Sequence, residues 1–189
     1  MMHKVGIVVG ISGVGKTQLL EKIRVALPMQ VLSASSLIRC SLAQTDEQFA
    51  SQDDLRTRDI DENQAALLEA FKRRVDPNKT LIILDAHVTI DTPEGLSHIS
   101  SNIFREIDPD FIVFVEDDPR RIHRNRECDT SRSRPERSVD FLANQQEIAI
   151  SAARNIAEDL SIPIHFVNGG DDQTLAGVLS GFQEDDHDV

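Results

Sequence analysis

The sequence predicts a three-layer α/β fold, in which a central five-stranded parallel sheet carries helices on both faces. Apolar segments of strand length alternate with segments whose apolar residues recur at helical spacing, a pattern typical of parallel sheets. Two strand segments, Leu81–Asp85 and Phe111–Val115, are apolar almost throughout, as expected of strands that are covered on both faces. The length of 189 residues suits one domain with a sizeable core.

The elements follow one another in a regular order. Strands are predicted at about residues 4–9, 30–32, 81–85, 111–115 and 164–167. Helices are predicted at about residues 16–27, 33–44, 61–75, 95–107, from 119 onward, 138–160 and 172–182. Pro28 ends the first helix and the serines of 33–36 cap the second. A single domain is therefore expected over 1–183, followed by a frayed acidic tail at 184–189.

Composition and charge exclude several classes of function. The net charge of −12 argues against a nucleic-acid partner bound over a broad surface. No apolar run reaches the length of a membrane span, and because a strand is predicted from about residue 4 onward, we expect no signal peptide. A cytoplasmic location without a membrane partner is therefore expected. Cys40 and Cys128 have no metal-type neighbours, so neither a zinc site nor a disulfide is expected.

Residues 10–17 read G-I-S-G-V-G-K-T, a complete G-x-x-x-x-G-K-[ST] phosphate-binding loop between a predicted strand and a predicted helix. Glycines let the backbone curl so that several N–H groups converge on phosphate oxygens, and the following helix adds its positive dipole end. Lys16 is predicted to reach the β- and γ-phosphates, and Thr17 to ligate Mg²⁺. The predicted nucleotide-binding residues of this segment are Gly10, Ser12, Gly13, Val14, Gly15, Lys16, Thr17 and Gln18.

A second group of candidates follows the strand at 81–85. Asp85 ends that strand, where a carboxylate holds Mg²⁺ in proteins with such loops; the alternative is a capping or turn acid. His87 lies at the same sheet edge, and a hydrogen bond to substrate is favoured over a role as general base. His165 lies in a predicted strand and is interpreted as a core residue.

Seven arginines stand between positions 120 and 137, about a third of the 20 basic residues of the chain. They could form a solvated helix face, or a lid that brings guanidinium groups onto the transferring phosphoryl group. Phosphoryl transfer depends on positioning and charge stabilisation, and a closing lid also excludes water. The polar, turn-like stretch 128–135 favours the lid. Arg39 and Arg56 are either surface charges or bidentate ligands for the phosphate of an acceptor.

These motifs resemble those of the nucleoside monophosphate kinases. The loop at 10–17 matches theirs, 33–39 looks like their acceptor-site segment, and Arg126 with 129–134 looks like their short lid. More specifically, L-D-A-H at 84–87, T-P-E-G at 92–95 and D-P-D-F-I at 108–112 are similar to the archaeal-type adenylate kinases. The resemblance covers nearly the whole chain.

The resemblance implies a P-loop kinase fold with an acceptor-binding insertion at about 33–75 and a lid at about 126–137. It implies ATP and Mg²⁺ as cofactors, a nucleoside monophosphate as acceptor and a homo-oligomer, with several relatives being trimers. The roles that it implies fall into four groups. They are catalysis by Lys16, Arg132 and Arg134; ATP-base contacts from Arg126, Asn168 and Gly169; acceptor contacts from Ser33, Arg39, Arg56 and His87; and Mg²⁺ contacts from Thr17 and Asp85.

The chain also departs from the family pattern. Ser35 stands where the acceptor segment usually has glycine, Pro135-Glu136-Arg137 replaces the aspartate-rich end of the lid, and no aromatic platform for the acceptor base is apparent. Three functions therefore stay open at the level of sequence. They are a nucleoside monophosphate kinase, a kinase of the same fold that phosphorylates a hydroxyl metabolite, and a nucleotide-sensing module with little turnover.

Overall fold

The computed structural model describes residues 3–43, 60–92, 95–129 and 135–184. The strands in these ranges are β1 (Lys4–Val9), β2 (Gln30–Ser33), β3 (Leu81–Asp85), β4 (Thr89–Thr92), β5 (Gly95–His98), β6 (Phe111–Glu116) and β7 (Ile164–Asn168). The helices are α1 (Lys16–Ile23), α2 (Ala34–Ala43), α3 (Ile60–Arg74), α4 (Ser101–Ile107), α5 (Pro119–Cys128), α6 (Val139–Leu160) and α7 (Asp172–Glu184).

Five parallel strands form the central sheet in the order β2-β3-β1-β6-β7, which confirms the predicted fold class. The β1 residues Ile7, Val8 and Val9 are fully buried, because neighbouring strands flank β1 on both sides and helices cover the sheet. After β1 the chain forms β2 and β3 on one side of β1, and later β6 and β7 on the other side. The loop after β1 therefore lies at the point where the strand order reverses, and ligands bind at such points in open α/β sheets.

Two helix boundaries differ from those predicted. The predicted helix 95–107 is wrong in its first part, because Gly95–His98 pairs with β4 as an antiparallel hairpin. The Thr92 hydroxyl donates to the Gly95 carbonyl at 2.9 Å, and Gly95 has a φ of +128° that suits glycine. Helix α4 begins only after Ser100, whose hydroxyl accepts from the Asn102 N–H. Helix α1 ends at Ile23 in a turn, before the predicted stop at Pro28.

Cys40 and Cys128 are both exposed free thiols. None of the helices in the described ranges is long and apolar enough to cross a membrane.

Asp171 fixes the start of α7. Its carboxylate accepts hydrogen bonds from the Thr174 N–H at 3.0 Å and the Thr174 hydroxyl at 2.7 Å. The backbone hydrogen bond from Thr174, reinforced by the hydroxyl, lowers the pKa of Asp171 below its ordinary value of 3.8. Because the folded-state pKa is the lower one, this stabilisation is complete above 3.8 and is lost as the pH falls through the folded-state pKa.

We therefore expect Asp171→Ala to lower Tm at pH 7, and we expect the difference from the wild type to shrink as the pH falls below about 4. Thermal unfolding followed by circular dichroism from pH 7 downward measures both. Asp171→Asn keeps an acceptor for the Thr174 N–H and serves as the control that does not titrate. A Tm deficit of Asp171→Ala that is the same in acid as at pH 7 would contradict this assignment.

Candidate active site

The backbone of the loop after β1 is shaped by three glycines. Gly10, Gly13 and Gly15 have φ values of +149°, +93° and +95°. A Cβ atom at Gly10 would lie 2.4 Å from the Val115 carbonyl oxygen, and one at Gly13 would lie 2.8 Å from Cγ of Arg126. Gly15 is the N-cap of α1 and supplies no side-chain cap, so the first N–H groups of α1 remain available to an anion. This cradle has the form that a chain of phosphates requires.

Lys16 is held at the mouth of this loop. Its side chain is only 6% exposed, and Nζ lies 2.9 Å from the Gly10 carbonyl oxygen and 3.9 Å from Oδ1 of Asp85. Nδ1 of His87 lies 2.9 Å from the same Gly10 oxygen. Because a carbonyl only accepts, Nδ1 is the nitrogen that carries the proton in this contact. Lys16, Asp85 and His87 thus converge at the position predicted for the β- and γ-phosphates.

The two predicted metal ligands are in direct contact. The Thr17 hydroxyl donates to Oδ2 of Asp85 at 3.1 Å. Asp85 is brought there by the sheet, since β3 pairs with β1 and places Asp85 beside Val8, immediately before the loop. A hydroxyl and a carboxylate are oxygen donors of the kind that Mg²⁺ prefers, so this pair fits the ion.

Helix α5 covers the loop from the other side. Asp118 caps the helix by accepting from the Arg120 N–H, and Pro119 occupies its first turn. Two of its side chains donate to loop carbonyls: Nδ2 of Asn125 to Gly13 at 2.9 Å, and Nε of Arg126 to Ser12 at 2.8 Å. The predicted ATP-base residue Arg126 is therefore anchored against the phosphate loop.

Gln145 on α6 is a site residue that the sequence reasoning missed. Its Oε1 accepts from Nη2 of Arg126 at 3.2 Å, and the residue is only 2% exposed. A signal was present in the sequence, because Gln145 lies four residues after Phe141 and three before Ile148, on the predicted apolar stripe of α6. A polar residue at such a position needs a buried partner.

Asn168 and Gly169 lie beside the loop, at the end of β7. The Gly169 N–H donates to the Glu116 carbonyl at 2.7 Å, and Nη1 of Arg121 donates to the Gly169 carbonyl at 3.1 Å. A Cβ atom at Gly169 would lie 2.8 Å from the Val14 carbonyl oxygen. Asn168 is exposed and Gly169 buried, so this stretch forms a rim next to Val14.

A cavity of about 840 Å³ extends from the loop to α2, α3, α4 and the β4–β5 hairpin. The predicted acceptor residues Ser33, Arg39 and His87 all line it, as does Gln18 of the loop segment. Nε of Arg39 is buried and has no hydrogen-bond partner within the described ranges. A buried guanidinium nitrogen without a partner suits an anionic ligand. The predicted residues Arg56, Arg132 and Arg134 lie outside the described part of the chain, as does most of the acidic tail.

Part of the lining of this cavity is apolar. Ile103, Phe104 and Ile107 of α4 contribute to it together with Ile99 and Leu67. Phe104 is an aromatic ring of the cavity wall that the absence of Trp and Tyr and the low aromatic content of the chain did not indicate. The spacing of Ile103, Phe104 and Ile107 on one helix face was the available signal.

Arg137, at the end of the predicted lid, is bound to the cavity wall. Its Nη2 and Nε donate to the two carboxylate oxygens of Asp91 at 2.9 Å and 3.2 Å, and its guanidinium lies over the Phe141 ring. Donating these hydrogen bonds to Asp91 raises the pKa of Arg137 above its ordinary value. Arg120 and Arg124, by contrast, are exposed on α5, as in the helix-face interpretation of the arginine cluster.

Comparison with known proteins places this geometry in a family. The sequence profile described as an AAA domain matches residues 9–143. The adenylate kinase of Thermoplasma acidophilum is 30% identical over 164 residues, which cover 84% of this chain and 86% of that protein. The adenylate kinase of Sulfurisphaera tokodaii is 30% identical over 151 residues, covering 75% of this chain and 78% of the relative.

Solved structures agree at the level of the fold. The shikimate kinase of Acinetobacter baumannii, determined in complex with shikimate, superimposes with a TM-score of 0.64 over 100% of this chain and 97% of that one, at 15% identity. The shikimate kinase of Bacteroides thetaiotaomicron gives a TM-score of 0.57 at 14% identity, with 96% of this chain and 98% of that chain covered. The identity to the two adenylate kinases, together with the phosphate loop and its buried lysine, shows the family of this chain. The chain belongs to the nucleoside monophosphate kinase family of P-loop kinases, alongside the archaeal-type adenylate kinases.

Proposed function

We propose that the chain is an ATP-dependent nucleoside monophosphate kinase of the adenylate type, which transfers the γ-phosphoryl group of ATP to the phosphate of an acceptor nucleotide. The observation that carries the proposal is one cavity that is lined together by the phosphate loop, by Arg39 and by apolar side chains of α3 and α4. These three kinds of lining suit a γ-phosphate, an acceptor phosphate and a base.

On the donor side, the loop glycines and the first turn of α1 would hold the ATP phosphates. Lys16 would place its charge where negative charge develops during transfer, without moving far from its contact with Gly10. Thr17 and Asp85 would hold Mg²⁺, which supplies charge neutralisation and orientation when it is bound. Arg126 would pack near the ATP base, supported by Gln145.

On the acceptor side, the chemistry of the wall favours a nucleotide over a hydroxyl metabolite. A hydroxyl acceptor loses a proton on phosphorylation and benefits from a free general base. Two carboxylates of the cavity wall are already engaged, Asp85 by Lys16 and Thr17, and Asp91 by Arg137. An acceptor phosphate is already ionised and needs cations, which Arg39 can supply. The apolar side chains that line the same cavity suit the faces of a base better than a polyol.

A panel of acceptors tests the proposal. ATP and Mg²⁺ are combined with AMP, CMP, UMP, GMP, the deoxynucleoside monophosphates and shikimate, and ADP formation and products are followed by a coupled assay and chromatography. We expect at least one nucleoside monophosphate to be converted to its diphosphate, with AMP preferred and shikimate unreacted.

Two outcomes would contradict the proposal. Phosphorylation of the hydroxy acid alone would favour the metabolite kinase, and ATP binding without transfer to any acceptor would favour the sensing module. The same panel with Lys16→Met identifies ADP that comes from a contaminating kinase.

A further inference from the structure

We infer that Arg137 keeps the cavity accessible to an anionic acceptor by neutralising the carboxylate of Asp91, an inference that rests on the proposed function. The two side chains form an ion pair in which Nη2 of Arg137 lies 2.9 Å from Oδ1 of Asp91 and Nε lies 3.2 Å from Oδ2. Among the described residues, Asp91 lines the cavity and Arg137 does not. Arg137 therefore acts on a ligand through Asp91, as a positioning residue.

The burial of Asp91 makes its charge important. Its side chain is only 7% exposed, so water and salt screen the carboxylate weakly. Asp91 lies opposite Leu96 in the β4–β5 hairpin, and within the described ranges Arg137 donates every hydrogen bond that the carboxylate accepts. Without Arg137, the lining of the cavity would therefore contain a buried negative charge that no cation balances.

Such an unbalanced charge would oppose the binding of an anion. The chain has a formal net charge of −12, so an anion that enters the cavity approaches a molecule of its own sign. Another carboxylate of the cavity, that of Asp85, lies 3.9 Å from Nζ of Lys16 and accepts a hydrogen bond from Thr17. Because Asp91 is also paired, less negative charge opposes the attraction between Arg39 and an acceptor phosphate.

Arg137 is held in the orientation that this role requires. Its guanidinium carbon lies 4.6 Å from the centre of the ring of Phe141, in the first turn of α6. The guanidinium thus lies over an aromatic ring while two of its nitrogen atoms donate to one carboxylate, a bidentate geometry that a lysine ammonium does not provide. Phe141 and Asp91 together fix the position of the positive charge.

Two single variants of the full-length protein break this ion pair and separate the effect of charge from that of structure. Arg137→Gln leaves the Asp91 carboxylate unbalanced, and we expect it to raise KM for AMP at least about fivefold while kcat stays within about twofold. Asp91→Asn removes that carboxylate, and we expect KM for AMP to stay within about twofold of the wild type or to fall. Both variants lose the same pair, so thermal unfolding should show a lower Tm for each.

A double variant and a surface control complete the comparison. Asp91→Asn combined with Arg137→Gln contains neither charge, and we expect its KM for AMP to return to within about twofold of the wild type. Arg24→Gln makes the same change in an exposed pair, where Nε of Arg24 lies 2.9 Å from Glu21, and is expected to leave kcat and KM within about twofold. Calorimetric titration with AMP gives the same comparison without turnover.

The asymmetry between the two single variants decides the outcome. If the wild type phosphorylates AMP but both single variants raise KM to the same extent, or Arg137→Gln leaves KM unchanged, the pair only supports the fold. The inference is then wrong and the proposed function stands. If the wild type phosphorylates no nucleoside monophosphate, the proposed function fails and this inference fails with it.

Discussion

Lys16→Met is expected to lower kcat/KM for phosphoryl transfer at least about a hundredfold, because it removes a buried cation that is fixed at the phosphate loop. The ammonium is buried between the Gly10 carbonyl and Asp85, so solvent cannot replace its charge. Methionine has a similar length and fills the same space. The effect should therefore appear in kcat rather than in the fraction of folded protein. Steady-state kinetics with ATP and the preferred acceptor measure it.

Lys22→Met is the matched control on the same helix. The Lys22 side chain is 62% exposed, and its Nζ lies 4.0 Å from Asp172, a surface contact of small energetic value. We expect this variant to keep its activity within twofold. If Lys16→Met retained more than a fifth of the wild-type activity, Lys16 would have no catalytic role, and the proposed use of the loop would have to be abandoned.

Gly10→Ala is expected to have the second large effect, on folding and nucleotide binding together. Gly10 has a φ of +149°, and the added methyl group would lie 2.4 Å from the backbone oxygen of Val115 on β6. Neither the backbone oxygen nor the packed strand can move away cheaply. We expect the free energy of unfolding to fall by about 3 kcal/mol or more, from backbone strain and overpacking combined. Urea denaturation measures this loss, and equilibrium ATP binding measures the loss of the loop geometry.

Gly177→Ala makes the same substitution in α7, where a Cβ atom would meet nothing within 4 Å. There alanine should raise the free energy of unfolding by about 0.5–1 kcal/mol, because it favours the helix. We therefore expect the free energy of unfolding to fall in Gly10→Ala and to rise in Gly177→Ala. Equal stability of Gly10→Ala and the wild type would show that the loop can reshape itself, contrary to the close approach of β1 and β6.

The sheet and the phosphate loop could be predicted because the residues of each strand, and those of the loop, are contiguous in the chain. Buried strands are almost purely apolar, and the loop at 10–17 contains the glycines that its own backbone conformation requires. Asp85 could be placed beside Lys16 because parallel strands end at one edge of the sheet.

The acceptor side could not be assembled in this way. Its wall comes from Gln64 on α3, Phe104 on α4 and the β4–β5 hairpin, whose proximity depends on tertiary packing. The hairpin was missed because its second strand, Gly95–His98, directly precedes a true helix and has no strong strand pattern of its own. Arg137 stands at the end of the predicted lid of about 126–137, and its contact with Asp91, 46 positions earlier in the chain, depends in the same way on tertiary packing.

The Gly10 carbonyl accepts hydrogen bonds from both Lys16 and His87, and the burial of Lys16 at this carbonyl affects the stability of the protein. The Lys16 ammonium loses most of its hydration when the chain folds. This dehydration lowers the free energy of unfolding of the nucleotide-free protein. A phosphate group that enters the loop meets a cation that is already dehydrated and oriented. Binding of the phosphate therefore does not have to include the free energy of dehydrating Lys16. The buried Lys16 therefore increases the affinity for the nucleotide and decreases the stability of the nucleotide-free protein for the same reason.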